Sequence, residues 1–120
     1  MMLHSEIRVA ETAEGVVVLQ LVGDHDMATA PDLEAHLAVG VAEGRGIVVD
    51  FSDTTFADST VLRVLFRCHE EVEHRGKQLV FQIQPDFPVA RVLEIAMLGD
   101  TVPCVPDRED AINLASEPQT

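Results

Sequence analysis

The run Ile47-Val48-Val49-Asp50-Phe51 leads through a four-residue link into Phe56-Ala57-Asp58-Ser59-Thr60-Val61-Leu62-Arg63-Val64-Leu65. The first segment is short, apolar and rich in β-branched residues, as expected of a strand buried on both faces. The second changes period: its apolar residues recur at three- and four-residue steps, the pattern of an amphipathic helix. A buried strand handing over to a helix is the unit of an α/β fold. The hydroxyl pair Ser59-Thr60 stands at the hand-over.

Two uses compete for that position. Backbone N–H groups at a helix start have no intrahelical partner and carry partial positive charge. Asp58 or Ser59 can satisfy them as an N-cap. The same place also suits a serine that receives a phosphate. Local sequence leaves both open.

Working outward, Ile7-Arg8-Val9 predicts a short edge strand and Glu14-Gly15 a turn. Val16 to Val22 predicts a mostly buried strand, ended by Gly23-Asp24-His25-Asp26. Thr29-Ala30-Pro31 opens a helix whose inward stripe is Leu33, Leu37 and Val41, and Glu43-Gly44-Arg45-Gly46 closes it. In the helix after Asp58, Leu62, Leu65, Phe66, His69 and Val72 are expected to face the core. Val61, Val64 and Cys68 form a second, narrower stripe. Arg75-Gly76-Lys77 ends that helix. Leu79 to Ile83 predicts a strand, Pro85-Asp86-Phe87-Pro88 a rigid connector, and Val89 to Leu98 an apolar helix. Val102 to Val105 predicts an edge strand, Asp107 to Ala115 a last helix, and residues 116–120 a polar tail. The order gives one α/β domain with a partly parallel sheet and no internal repeat.

Composition narrows the function classes. Of 120 residues, 21 are acidic and 8 basic, a net charge of −13. That argues against nucleic acid and anionic membranes, which select basic patches, and suits docking on a basic partner surface. Cys68 and Cys104 lack metal spacing and read as reduced, half-buried thiols of a cytoplasmic protein. The start, Met1 to Glu6, has no signal-peptide pattern, and no apolar run is long enough to span a bilayer.

Catalytic patterns do not emerge, so the expectation is a protein that is not an enzyme and uses no cofactor or metal. His69 and His74 are five residues apart, about 140° around a helix, rather than the i, i+4 of a zinc motif. His69 reads as semi-buried and His74 as solvated. Asp50, Asp53 and Asp58 lie close enough in sequence to hold a divalent cation; the alternative places Asp50 and Asp53 as ordinary residues at a strand end.

Several segments together resemble the STAS domain family, in particular its anti-sigma factor antagonists. Gly23 to Leu33 resembles the family's turn before its first helix. Ile47 to Ser52 resembles the central strand. Phe56-Ala57-Asp58-Ser59-Thr60 resembles the Asp-Ser-Ser/Thr phosphorylation motif, and Leu79 to Leu98 and Asp107 to Leu114 resemble the closing elements. The likeness covers about residues 5–115, one STAS domain. It implies a mixed, mostly parallel sheet of four or five strands flanked by about four helices. It also implies a function. An anti-sigma factor that is itself a serine kinase binds the unmodified form, which frees a sigma factor; phosphorylation at Ser59 switches binding off, and a phosphatase resets it. The family's usual glycine after the hydroxyl pair is Val61 here, which bears on what docks there. A second class of function is a STAS subunit that is not phosphorylated, acting as a signalling scaffold or as the cytosolic accessory of a membrane transporter.

The expected partner-binding surface combines Asp24, His25 and Asp26 with Asp58, Thr60, Val61, Val64 and Cys68. Surplus apolar residues beside an acidic turn motivate it; the alternative is that both helical stripes are buried. Asp26 either positions the partner or holds the turn, and Thr60 either accepts a second phosphate or bonds locally.

Overall fold

The computed structural model describes residues 5–96 and 98–117. The readings made for Met1 to His4, for Met97 within the apolar segment, and for the last three residues of the tail lie outside the described residues. Among the described residues, six strands and five helices run in the order β1 (Glu6–Glu11), β2 (Val16–His25), α1 (Ala30–Ala42), β3 (Gly46–Asp50), β4 (Thr54–Ala57), α2 (Ser59–His74), β5 (Leu79–Gln82), α3 (Pro88–Ile95), α4 (Leu98–Thr101), β6 (Cys104–Val105) and α5 (Arg108–Ser116).

Five strands lie side by side in the order β1-β2-β3-β5-β6. The edge strand β1 is antiparallel to β2, and the remaining neighbours are parallel. Side chains alternate between the two faces of a strand. Val17, Leu19, Leu21, Ile47, Val49, Leu79 and Phe81 therefore share one face, where α1, α2 and α3 cover them in the larger core. Phe51 and Phe81 meet there edge to face, with ring centroids 5.2 Å apart. Val16, Val18, Val48 and Val80 point the other way and are covered by Ala111 and Ala115 of α5. Apolar residues on both faces account for the nearly continuous hydrophobic runs of β2 and β3.

Helix α5 sits unusually close to the sheet. A Cβ built on Gly46 would lie 2.0 Å from the carbonyl oxygen of Ala115, a backbone atom. At the other end of α5, the Arg108 guanidinium bonds the carboxylate of Asp50, which is 1% exposed. Arg108 Nε also donates to Gln82 Oε1 at 2.9 Å, and Asp50 accepts the Ser52 N–H at 2.9 Å. Asp53 accepts from the Gln20 amide at 2.7 Å. Both carboxylates are thus engaged at the strand ends.

Three expectations need correction. Gly23-Asp24-His25 does not end β2: Gly23 adopts φ +85°, the register shifts there, and the strand runs on to His25. That shift admits β4, a strand not anticipated in the link before Ser59. The apolar segment Val89 to Leu98 is also not one helix, since α3 ends at Ile95 and a one-turn α4 starts at Leu98.

Replacing Gly46 with Ala must push α5 away from β3, because backbone cannot yield as a side chain does. The expected cost is about 1–3 kcal/mol, seen as a lower urea midpoint at unchanged m-value.

Candidate functional site

Three pieces of backbone converge on the start of α2. The first is the end of β2. After pairing β3 from Val16 to Gln20, β2 changes partner and pairs β4 through Gly23–Thr54, Asp24–Phe56 and His25–Ala57. Gly23 N–H donates to Asp53 O at 2.9 Å, and the buried Thr54 hydroxyl donates to Leu21 O at 2.6 Å. The second piece, β4, is held by these bonds. The third is the helix entry, where Asp58 N–H donates to His25 O at 3.2 Å.

The turn after β2 is tied down from inside. His25 is fully buried. Its Nε2 lies 3.0 Å from Val22 O and its Nδ1 3.1 Å from Thr29 Oγ1. A carbonyl only accepts, so Nε2 carries a proton and donates to Val22 O, while Nδ1 and the Thr29 hydroxyl share a hydrogen bond. Thr29 Oγ1 also accepts the Asp26 N–H at 3.1 Å, and Asp26 Oδ1 accepts the Ala28 N–H at 2.9 Å. Asp24 accepts the Thr55 hydroxyl. Asp26 therefore holds the turn. At its tip Met27 is 72% exposed.

At the helix entry the two competing uses fall on different residues. Asp58 is the N-cap, in extended backbone, and its Oδ1 accepts the N–H groups of Thr60 at 2.9 Å and Val61 at 3.1 Å. Ser59 is exposed, and its hydroxyl has no hydrogen-bond partner among the described residues. Thr60 is half-buried beside it.

Part of the expected docking surface is internal. Val61, Val64 and Cys68 are 0%, 6% and 7% exposed and belong to the larger core with Leu33 and Leu37 of α1. With Leu65 and Val72 they form the inward stripe of α2. Val61, which takes the place of the family's usual glycine, points into the protein. His25 is likewise a buried strut. The outward apolar residues are Leu62, half-buried, and Phe66, 44% exposed, both expected inside. Phe56 on β4, 50% exposed, joins them. The exposed apolar side chains on the elements that converge here are thus Met27 in the turn after β2, Phe56 on β4 and Phe66 on α2. Burial decides the matter, and β4, which carries Phe56, was the element that the sequence reading missed.

Other candidates resolve simply. His69 is buried, with Nε2 2.6 Å from Glu73 Oε2, and His74 is exposed. Among the described residues, no group of three His, Cys, Asp or Glu could hold a metal ion. No helix among them is long and apolar enough to cross a membrane. Cys68 and Cys104 are both free thiols, but neither is half-buried: Cys68 is buried and Cys104 exposed. Burial, helped by Glu71, pushes the Cys68 thiol up to about 12.

With this geometry in hand, the comparisons with known proteins are direct. The family model of the STAS domain matches residues 8–111, and the chain belongs to the STAS domain family. Its fold is similar to that of an anti-sigma factor antagonist from Mycobacterium paratuberculosis, at 28% identity and a TM-score of 0.78, covering 95% of this chain and 96% of that one. It is also similar to the Bacillus cell fate determinant SpoIIAA in its phosphorylated form, at 20% identity and a TM-score of 0.72 over 90% and 97% of the two chains. A putative anti-sigma factor antagonist from Thermotoga maritima aligns at 16% identity and a TM-score of 0.75, over 92% and 95%. No curated protein sequence matches the chain.

Two outcomes are expected from this site. Asp58→Ala removes the cap from two amides and should lower stability by about 1 kcal/mol, measured by chemical denaturation. For the thiols, a disulfide reagent near pH 8 should modify Cys104 in the native protein and Cys68 only on unfolding. The Cys68 pKa is raised in the folded state, so the unfolded state binds fewer protons above its ordinary value of 9.0. Stability should therefore fall as pH climbs from about 9 towards 12, and a Cys68→Ser variant should lack that part of the decline.

Proposed function

We propose that this protein is an anti-sigma factor antagonist whose binding is switched at Ser59. The observation that carries the reading is a serine hydroxyl at the entry of α2, exposed and without a hydrogen-bond partner among the described residues, next to the capping Asp58. The likeness to anti-sigma factor antagonists supports it. In this reading an anti-sigma factor with serine kinase activity docks at that helix entry and releases its sigma factor. Ser59 Oγ then attacks the γ-phosphorus of ATP. The bond from that phosphorus to the bridging oxygen breaks, ADP departs and the hydroxyl proton passes to a base or water. A phosphatase later hydrolyses the phosphoserine. The cycle takes place in the cytoplasm and leaves the chain itself without catalytic chemistry.

The physics of the switch follows from the cap. Phosphate adds about −1.5 to −2 charges at neutral pH. Because Asp58 already occupies the Thr60 and Val61 amides, the fold has nothing to rearrange. The complex does: a dianion must be desolvated against a surface that received a hydroxyl, beside three carboxylates. A loss of about 1.4 kcal/mol already weakens binding tenfold.

The test is calorimetric titration of the cognate kinase with two variants. Ser59→Ala should bind like the unmodified protein, and Ser59→Asp at least tenfold more weakly, with the fold of both unchanged by circular dichroism. Equal affinities, or a phosphate mapped by mass spectrometry to a residue other than Ser59, would overturn the proposal.

A further inference from the structure

Basic side chains are scarce here, eight against 21 acidic ones, and most have a visible structural task. Arg8 pairs with Glu6, Arg45 with Glu11 and Glu43, and Arg108 with Asp50. Arg67 reaches Glu34 on α1 at 3.7 Å, and Arg75 donates to Val41 O at 3.4 Å. Arg63 is different. It is exposed on α2, and no carboxylate lies within ion-pair distance among the described residues. Its helical neighbours at three and four residues are Ser59, Thr60, Phe66 and Arg67. None is acidic, and Arg67 repels it. Residues four apart on a helix share a face, with Cβ atoms about 5–6 Å apart. Arg63 therefore stands one turn beyond the Ser59 hydroxyl on the same face.

We propose that Arg63 is the counter-ion of the phosphate on Ser59. It holds the modified side chain along α2 by charge-assisted hydrogen bonds from the guanidinium to the phosphate oxygens. The amides that most often receive an anion at a helix start are unavailable, because Asp58 fills those of Thr60 and Val61. The nearby carboxylates Asp24, Asp26 and Asp58 all oppose the dianion, and Arg63 is the cation on its own helix face that favours it. In the unmodified chain the same arginine has no anionic partner among the described residues. Modification thus completes a pair that the helix already positions. The inference rests on the reading of Ser59 as the modified residue, and its test is independent of any kinase.

Phosphoserine can be installed at position 59 during translation and its second ionisation followed by phosphorus NMR in the full-length protein. In low salt the phosphate of the wild-type background should titrate about 0.2–0.4 unit lower than in Arg63→Gln, the size of an i, i+4 helix ion pair. Arg63→Lys should keep part of the shift, and Arg91→Gln on α3 should leave it at the wild-type value. The difference should shrink in 1 M salt, where screening is strong. Identical titration of wild type and Arg63→Gln at low salt overturns the pairing, whatever kinase assays show. A shift that depends on Arg63 in a protein whose Ser59 no kinase modifies would uphold the pairing and sink the regulatory reading instead.

Discussion

The change of partner along β2 is the constraint on which the rest of the surface depends. A strand of ten residues pairs β3 with its first half and β4 with its last three residues. The hinge is Gly23, whose φ of +85° is open to glycine and strained for other residues. The shift in register turns the end of β2 away from the plane of the main sheet. Without it, β4 would have no ladder to join, the Asp58 N–H would lose the His25 carbonyl, and α2 would begin elsewhere. The acidic turn, the Phe56 side chain and the Ser59 hydroxyl are neighbours because one glycine allows one irregularity.

That irregularity also explains what could be read in the residues and what could not. The buried strands were legible, since Val16 to Leu21 and Ile47 to Phe51 have to be buried on both sides to make sense. The inward stripe Leu33, Leu37, Val41 was legible as well, because large apolar residues recur there at steps of four, whereas the outer side of α1 carries mainly alanines with Asp32, Glu34 and His36. Strand β4 was not. Thr54-Thr55-Phe56-Ala57 is four residues long, and its pairing depends on a bulge 31 positions upstream in sequence, between Gly23 and Asp24. No local period reports such a dependence.

Helix α2 shows a subtler limit. Its apolar residues fall into two stripes, and period alone cannot say which is inward when both are wide. The structure buries Val61, Val64, Leu65, Cys68 and Val72, spaced three, one, three and four residues apart, as a seam against α1 and the sheet. Leu62 flanks that seam and packs on the core's margin, and Phe66 projects further outward. Spacing counted from Leu62 selects Leu65, Phe66, His69 and Val72 as inward, a set that mixes buried and exposed members. The expected second stripe is core, and the apolar surplus left outside is Phe66.

The buried His25 fixes the turn that precedes α1. A turn such as Asp24 to Ala28 would ordinarily move, and ordering it on association would oppose binding. Here one imidazole joins the Val22 carbonyl to the Thr29 hydroxyl, and that hydroxyl receives the Asp26 N–H. The far side of the turn is anchored where Asp24 meets Thr55 of β4. Met27 is therefore presented from a frame already fixed by the fold, and so is Phe56. The same economy governs the helix entry, where the cap and the free hydroxyl sit on adjacent residues. Had Ser59 been the cap, converting it to a phosphate would have cost the helix its first hydrogen bonds, and modification would have loosened the fold. With Asp58 as the cap, the charge of Ser59 can change while the helix start stays as it was, so any effect of modification has to be felt by what binds there.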